Sequence, residues 1–232
     1  MSYLDFSRTK ALNNIPSKKL LNELSIIKEN EDDPKNKDIK ITAINRYAES
    51  NIPIEYWYLK MEKDFIGDKS LLEKYNEYII DVKSSYINGK SICFAGAHGV
   101  GKTMTSCCIL KKACQVGYQC LYSTLSDIVN VLTQSPNEDR FFARRELILI
   151  DFLVIDEFDP RFMSSDNSID LYARSLESIF RARSQNKLPT IMCTNSPNIV
   201  ASFNGQLKLS LESLIKGYLI IHPILGKDYR KI

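Results

Sequence analysis

The chain of 232 residues carries 31 lysines and arginines against 28 aspartates and glutamates, a net charge of +3, with 44% apolar residues. That length suits one domain or one domain with an appendage, and the apolar fraction is ample for a core. Near-balanced charge gives no case for nucleic acid from totals alone. No apolar run reaches the length of a membrane span or of an N-terminal signal segment, so no membrane is expected and the cytoplasm is, that of a host if a phage encodes the chain.

Residues 17–28 place Leu20, Leu21, Leu24 and Ile27 on one helical face, with Ser17 as N-cap. The polar stretch 29–38, with Pro34 inside it, reads as a linker. A short helix is expected through Ile44 and Tyr47, ended by Ile52-Pro53. Residues 71–87 are amphipathic again and lead to the turn Asn88-Gly89. From there strand-like runs at 91–95, 119–122, 152–156, 190–194 and 218–221 alternate with helical patterns at 102–115, 125–133, 139–148 and 169–184. Such alternation predicts an α/β/α three-layer fold around a mostly parallel sheet, with ligands at the carboxyl ends of the strands. The six cysteines form no C-x-x-C pair and several sit in apolar runs, so they read as buried thiols. Of the two histidines, His222 lies in an apolar run and reads as structural.

The run Gly96, Ala97, His98, Gly99, Val100, Gly101, Lys102 and Thr103 is a complete P-loop, G-x-x-x-x-G-K-[ST], between a strand and a helix. Glycines let the backbone curl so that its N–H groups cradle phosphates, and the helix adds its positive end. Lys102 is expected on the β- and γ-phosphates and the Thr103 hydroxyl on Mg²⁺. The second motif is an apolar strand ending in Asp156 and Glu157, 54 residues after Lys102. Asp156 suits the Mg²⁺ shell, and Glu157 suits activation of the attacking water. The third is Asn195, after the apolar run ending in Thr194: a sensor of the γ-phosphate, or an ordinary turn residue before Pro197. Arg140, Arg144 and Arg145 beside Phe141 and Phe142 read equally as a single-strand surface or as an amphipathic helix with phenylalanines inward. Lys111 and Lys112 read as a solvated face. Tyr56 and Trp57 read as an adenine wall or as core.

The order of P-loop, Asp156-Glu157 and Asn195 resembles the additional-strand P-loop ATPases and, within them, the AAA+ group. Longer stretches are similar to the DnaC-type helicase loaders and the related IstB-type transposition ATPases. These are the segment 51–57 (Asn-Ile-Pro-Ile-Glu-Tyr-Trp), the passage from Ile179 through Pro189 to Ser196, and the ending from Gly226 to Arg230. The likeness spans roughly residues 50 to 232. It implies an AAA+ core at 51–232 without a full helical lid, and a helical extension at 1–50 that docks on a helicase. It implies ATP and Mg²⁺ at Gly96 to Thr103, Asp156 and Glu157, a sensor at Asn195 and a γ-phosphate contact from Arg230. The function so implied is ATP-dependent loading of a hexameric replicative helicase onto single-stranded DNA, with DNA contact and self-association on nucleotide binding left open. A transposase accessory ATPase and an ATP-gated adaptor with negligible turnover stand beside it. Two departures qualify the resemblance. Residues 209–216 hold no arginine finger, so Lys216, Arg181 or Arg183 substitutes or hydrolysis is slow. No cysteine precedes Cys93, so the zinc module of some loaders has no ligands here.

Overall fold

The computed structural model describes residues 34–159, 166–196, 199 and 205–229. Its sheet has five strands: β1 (Ser91–Gly96), β2 (Cys120–Thr124), β3 (Phe152–Asp156), β4 (Thr190–Thr194) and β5 (Leu219–Ile224). All pairings are parallel, in the order β2-β3-β4-β1-β5. A parallel sheet covered on both faces needs strands that are apolar throughout. The residues of β3 and β4 are accordingly all buried. Strand β5 runs three residues past its expected end and includes Pro223, which an edge strand tolerates because no outer neighbour needs its missing N–H.

One face packs on α5 (Lys102–Val116). Phe94, Cys193, Val154 and Phe152 meet Cys107, Ile109, Leu110 and Ala113, with Ile44, Ile52, Trp57, Leu71 and Tyr75 closing the layer. The other face packs on α6 (Leu125–Gln134), α7 (Asn137–Leu149), α8 (Asp166–Gln185) and α9 (Gly205–Tyr218). There Cys93, Leu153, Ile155 and Met192 meet Ile128, Leu147, Leu176, Phe180 and Ile215. This is the three-layer α/β/α arrangement expected. All six cysteines are buried and free. Among the described residues no helix is long and apolar enough to cross a membrane.

Three local expectations change. The run 71–87 is two helices, α3 (Lys69–Ile79) and α4 (Val82–Ile87), because Asp81 stops one and caps the next by accepting from Ser84 N. The helix through Ile44 and Tyr47 is α1 (Pro34–Glu49). It begins inside the stretch read as a linker, with Pro34 at the first helical position, where a missing N–H is harmless. Its last turn is tied to α5, with Arg46 Nη1 donating to Cys114 O at 2.9 Å and Gln115 Nε2 to Tyr47 Oη at 2.7 Å. The helix α2 (Met61–Asp64) and α9 had not been expected. The amphipathic stretch 17–28 lies outside the described residues.

Among the described residues Arg183 is the largest side chain that is fully buried. Its guanidinium donates to Leu147 O (2.9 Å), Ile150 O (2.8 Å), Pro189 O (2.6 Å) and Thr190 Oγ1 (2.8 Å). It thereby joins the end of α7, the entry to β3 and the entry to β4. Burial pulls its ordinarily very high pKa down to about 10, so it stays charged at neutral pH. Arg183 therefore cannot serve as the trans-acting finger. Arg183→Met leaves Leu147 O and Ile150 O without their donor, each costing about 1–3 kcal/mol, whereas Pro189 O keeps Leu153 N and Thr190 Oγ1 keeps Tyr218 Oη. Urea unfolding should show a loss of at least about 2 kcal/mol on that basis.

Glu146, on α7, holds one carboxylate oxygen in the interior with no partner. Burial alone pushes its carboxyl from 4.5 up to about 7. The folded state thus binds this proton more tightly than the unfolded state. Its contribution to stability is fully present below about 4.5 and is lost as pH rises through about 7. Thermal unfolding should show a smaller fall between pH 5 and pH 8 in Glu146→Gln than in the parent, on that linkage.

Candidate nucleotide site

The parallel register brings three strand ends to one edge. Ala95 aligns with Thr194 across β1 and β4, Ile155 with Met192 across β3 and β4, and Thr124 with Asp156 across β2 and β3. Gly96, Asn195 and Glu157 therefore emerge together at the carboxyl edge, where ligands bind in such sheets.

The P-loop leaves β1 at Gly96 and enters α5 at Lys102. Gly99 and Gly101 have φ of 74° and 100°, which only glycine adopts without strain. A Cβ on Gly101 would also lie 2.6 Å from the Phe65 ring. Flanking segments fix the loop from outside: Asp68 N donates to Val100 O and Tyr229 N to Gly99 O, each at 3.1 Å. Ala97 and His98 are exposed and Val100 is buried.

Lys102 is buried, and its ammonium donates to Gly96 O (2.8 Å), Ala97 O (2.6 Å) and Asn195 Oδ1 (2.9 Å). These acceptors are neutral carbonyl and amide oxygens, and they hold the ammonium over the loop. A phosphate oxygen is a stronger acceptor for the same donor. Asn195, half-buried, is thus brought to the P-loop lysine. Thr103 lies in the first turn of α5, also half-buried.

Asp156 is buried at the end of β3. Its Oδ1 accepts from Glu157 N and its Oδ2 from Tyr122 Oη, both at 2.8 Å. Glu157 is exposed with φ of 51°, a left-handed conformation that costs a non-glycine residue about 1 kcal/mol or more. The chain turns there because Phe158 drops into the core, donating its N–H to Cys193 O at 2.8 Å. The fixed carboxylate of Asp156 and the cradle around Lys102 fit a divalent cation and a polyphosphate. Among the described residues no cluster of three histidine, cysteine or acidic side chains offers a different metal site. Arg230 lies outside the described residues.

The structure also places other side chains that the sequence singled out, one against expectation and others among the alternatives left open. Lys111 is buried rather than solvated: its ammonium binds the carbonyls of Tyr56, Trp57 and Leu59 and pins that loop to α5. Trp57 is core, donating Nε1–H to Ile52 O at 2.7 Å. Phe141 is 63% exposed and Phe142 37%, with rings edge-on at 5.7 Å, so the phenylalanines do not face inward; Ala143 and Leu147 do. Arg181 pairs with Glu177 and Lys216 with Glu212 on their own helices. Tyr122 and Lys111 had no signal in the sequence, since each acts through a partner distant along the chain.

This strand order and site define an ATP-binding P-loop core of the AAA+ fold. Residues 78–185 match the sequence model of the family described as IstB-like ATP binding protein. No curated protein sequence gives a significant match. Among solved structures, DnaI aligns with a TM-score of 0.60 at 16% identity, over 74% of this chain and 93% of its own. The DnaC helicase loader aligns at 0.56 and 18%, over 74% and 99%. AMPPCP-bound DnaA from Aquifex aeolicus aligns at 0.58 and 17%, over 77% and 53%. At these identities the likeness is one of fold, and this chain spans about half the length of the DnaA structure. Lys102→Ala should weaken binding of a fluorescent ATP analogue by at least about tenfold, the equivalent of one charge-assisted hydrogen bond, with far-UV circular dichroism unchanged.

Proposed function

We propose that the chain is an ATP-dependent helicase loader that hydrolyses ATP. The observation that carries the reading is the convergence of Lys102, Asn195 and the Asp156-Glu157 pair on one sheet edge. Gly96 to Gly101 cradle the phosphates, Lys102 moves from the carbonyls of Gly96 and Ala97 onto the β- and γ-phosphates, and Asn195 follows it to sense the γ-phosphate. Thr103 and Asp156 would hold Mg²⁺, which would supply positive charge to offset the charge developing on the phosphates. Glu157 takes a proton from the attacking water as the water oxygen bonds to the γ-phosphorus. The bond from that phosphorus to the bridging oxygen breaks, leaving ADP and phosphate. Arg230 follows Tyr229, whose N–H reaches Gly99 O, and is assigned a γ-phosphate contact.

Extent of alignment favours a loader over an initiator, since DnaI and DnaC are covered over nine-tenths or more of their length and DnaA over about half. Segment 1–50 is assigned to docking on a hexameric replicative helicase, and 51–232 to the ATPase core. The exposed surface of Phe141, Phe142, Arg144 and Arg145 is assigned to single-stranded DNA, because rings stack on bases and guanidinium groups bind phosphates.

Glu157→Gln should lower ATP turnover by about a hundredfold or more while keeping ATP affinity, the usual cost of removing a general base. The same variant, tagged and held with ATP, should retain a hexameric replicative helicase from its source lysate, and deletion of residues 1–33 should abolish that capture. A transposase in its place would move the site to the alternative client, and unchanged turnover would remove the assignment of Glu157.

A further inference from the structure

Tyr122 lies on β2, the edge strand farthest from β5, and its side chain is buried on the α5 face. It aligns with Val154, two residues before Asp156 on β3, so the phenol reaches diagonally across the pair to Asp156 Oδ2 at 2.8 Å. The outer edge of the same residue is held by a segment outside the sheet. Tyr122 N donates to Ser50 O at 2.8 Å, and Asn51 Nδ2 donates to Tyr122 O at 3.1 Å. Asn51 takes a left-handed φ of 55° to make this clamp. Ser50 directly follows α1, and its Oγ lies 3.2 Å from Cys114 Sγ. The last turn of α1 thus sits two hydrogen-bonded steps from the aspartate of the site.

We propose that Tyr122 is a positioning residue that fixes the Asp156 carboxylate for Mg²⁺, and that the Ser50-Asn51 clamp couples α1 to that carboxylate. The inference rests on the reading of Asp156 as a metal-holding residue. Asp156 has two oxygens and two neutral partners. Glu157 N sets one oxygen from within the strand, and Tyr122 sets the other from the neighbouring strand. One partner on each oxygen fixes the rotation of the carboxylate and leaves about two of its four lone-pair sites for a metal. Any partner that shifts α1 would pull on Tyr122 through its main chain and turn the carboxylate. Binding at the N-terminal side and Mg²⁺ occupancy are in this way one linked equilibrium.

The test measures binding of a fluorescent ATP analogue to the full chain across Mg²⁺ concentrations and, separately, in excess chelator. Tyr122→Phe should raise the Mg²⁺ concentration for half-maximal effect by about tenfold or more, as loss of a partner that orients a metal ligand does. Its Mg²⁺-free affinity should stay within about twofold of the parent, a split that general loss of structure would not produce. Asn51→Gly keeps the left-handed backbone accessible while deleting the amide, and should shift the Mg²⁺ curve in the same direction by a smaller factor. Parent-like Mg²⁺ curves for Tyr122→Phe overturn the positioning role, and a parent-like curve for Asn51→Gly overturns the coupling. Asp156→Asn separates this failure from that of the underlying reading: if it too retains the parent Mg²⁺ curve, Asp156 does not hold the metal.

Discussion

Strand β4 lies between β1 and β3, and its hydrogen bonds to both set the spacing of the site. Two strand separations put the end of β3 about 10 Å from the end of β1. That gap separates the P-loop from Asp156, and β4 fills it with Asn195 at its exit. Were β1 and β3 neighbours, the acidic pair would crowd the loop. The buried apolar residues of β4, Ile191, Met192 and Cys193, are therefore as much part of the site's construction as the motif residues.

The opposite end of the same strands is set by Arg183. A buried guanidinium is costly unless its donors find acceptors, and here the acceptors are main-chain carbonyls at the entries to β3 and β4. Lys111 does the same on the other face, gathering three carbonyls of the loop 56–59 against α5. Two cations that the sequence offered to a neighbouring subunit or to solvent are internal fasteners. The other two finger candidates, Arg181 and Lys216, lie at the surface and are each paired one turn away on their own helix.

The legible parts were those whose signal is local. The P-loop carries its glycines, lysine and threonine in eight consecutive residues, and β3 and β4 announce themselves as unbroken apolar runs. The split at Asp81 was harder, because the apolar spacing of α3 and α4 continues across the cap. Helix α9 was missed because Gly205, Ser210, Ser213 and Gly217 dilute its pattern, and packing of Ile215 against Leu219 and its neighbours supplies what propensity lacks. For Phe141 and Phe142 the sequence left an exposed and an inward reading level, because large apolar groups usually seek the core, yet the inward positions of α7 fall at Ala143 and Leu147. Tyr122 could not be found at all, since its partners Asp156 and Asn51 are 34 and 71 residues away.

The central claim is that this sheet edge receives ATP, with Lys102 exchanging main-chain carbonyls for phosphates and Asp156 facing the metal. The most direct measurement is a crystal structure of the full chain with Mg²⁺ and a non-hydrolysable ATP analogue. Lys102 Nζ should be withdrawn from Gly96 O and Ala97 O onto the β- and γ-phosphates, with Asn195 beside the γ-phosphate and Asp156 turned to the metal with Tyr122 still on its Oδ2. Phosphates bound elsewhere, with Lys102 still on those carbonyls, would contradict it.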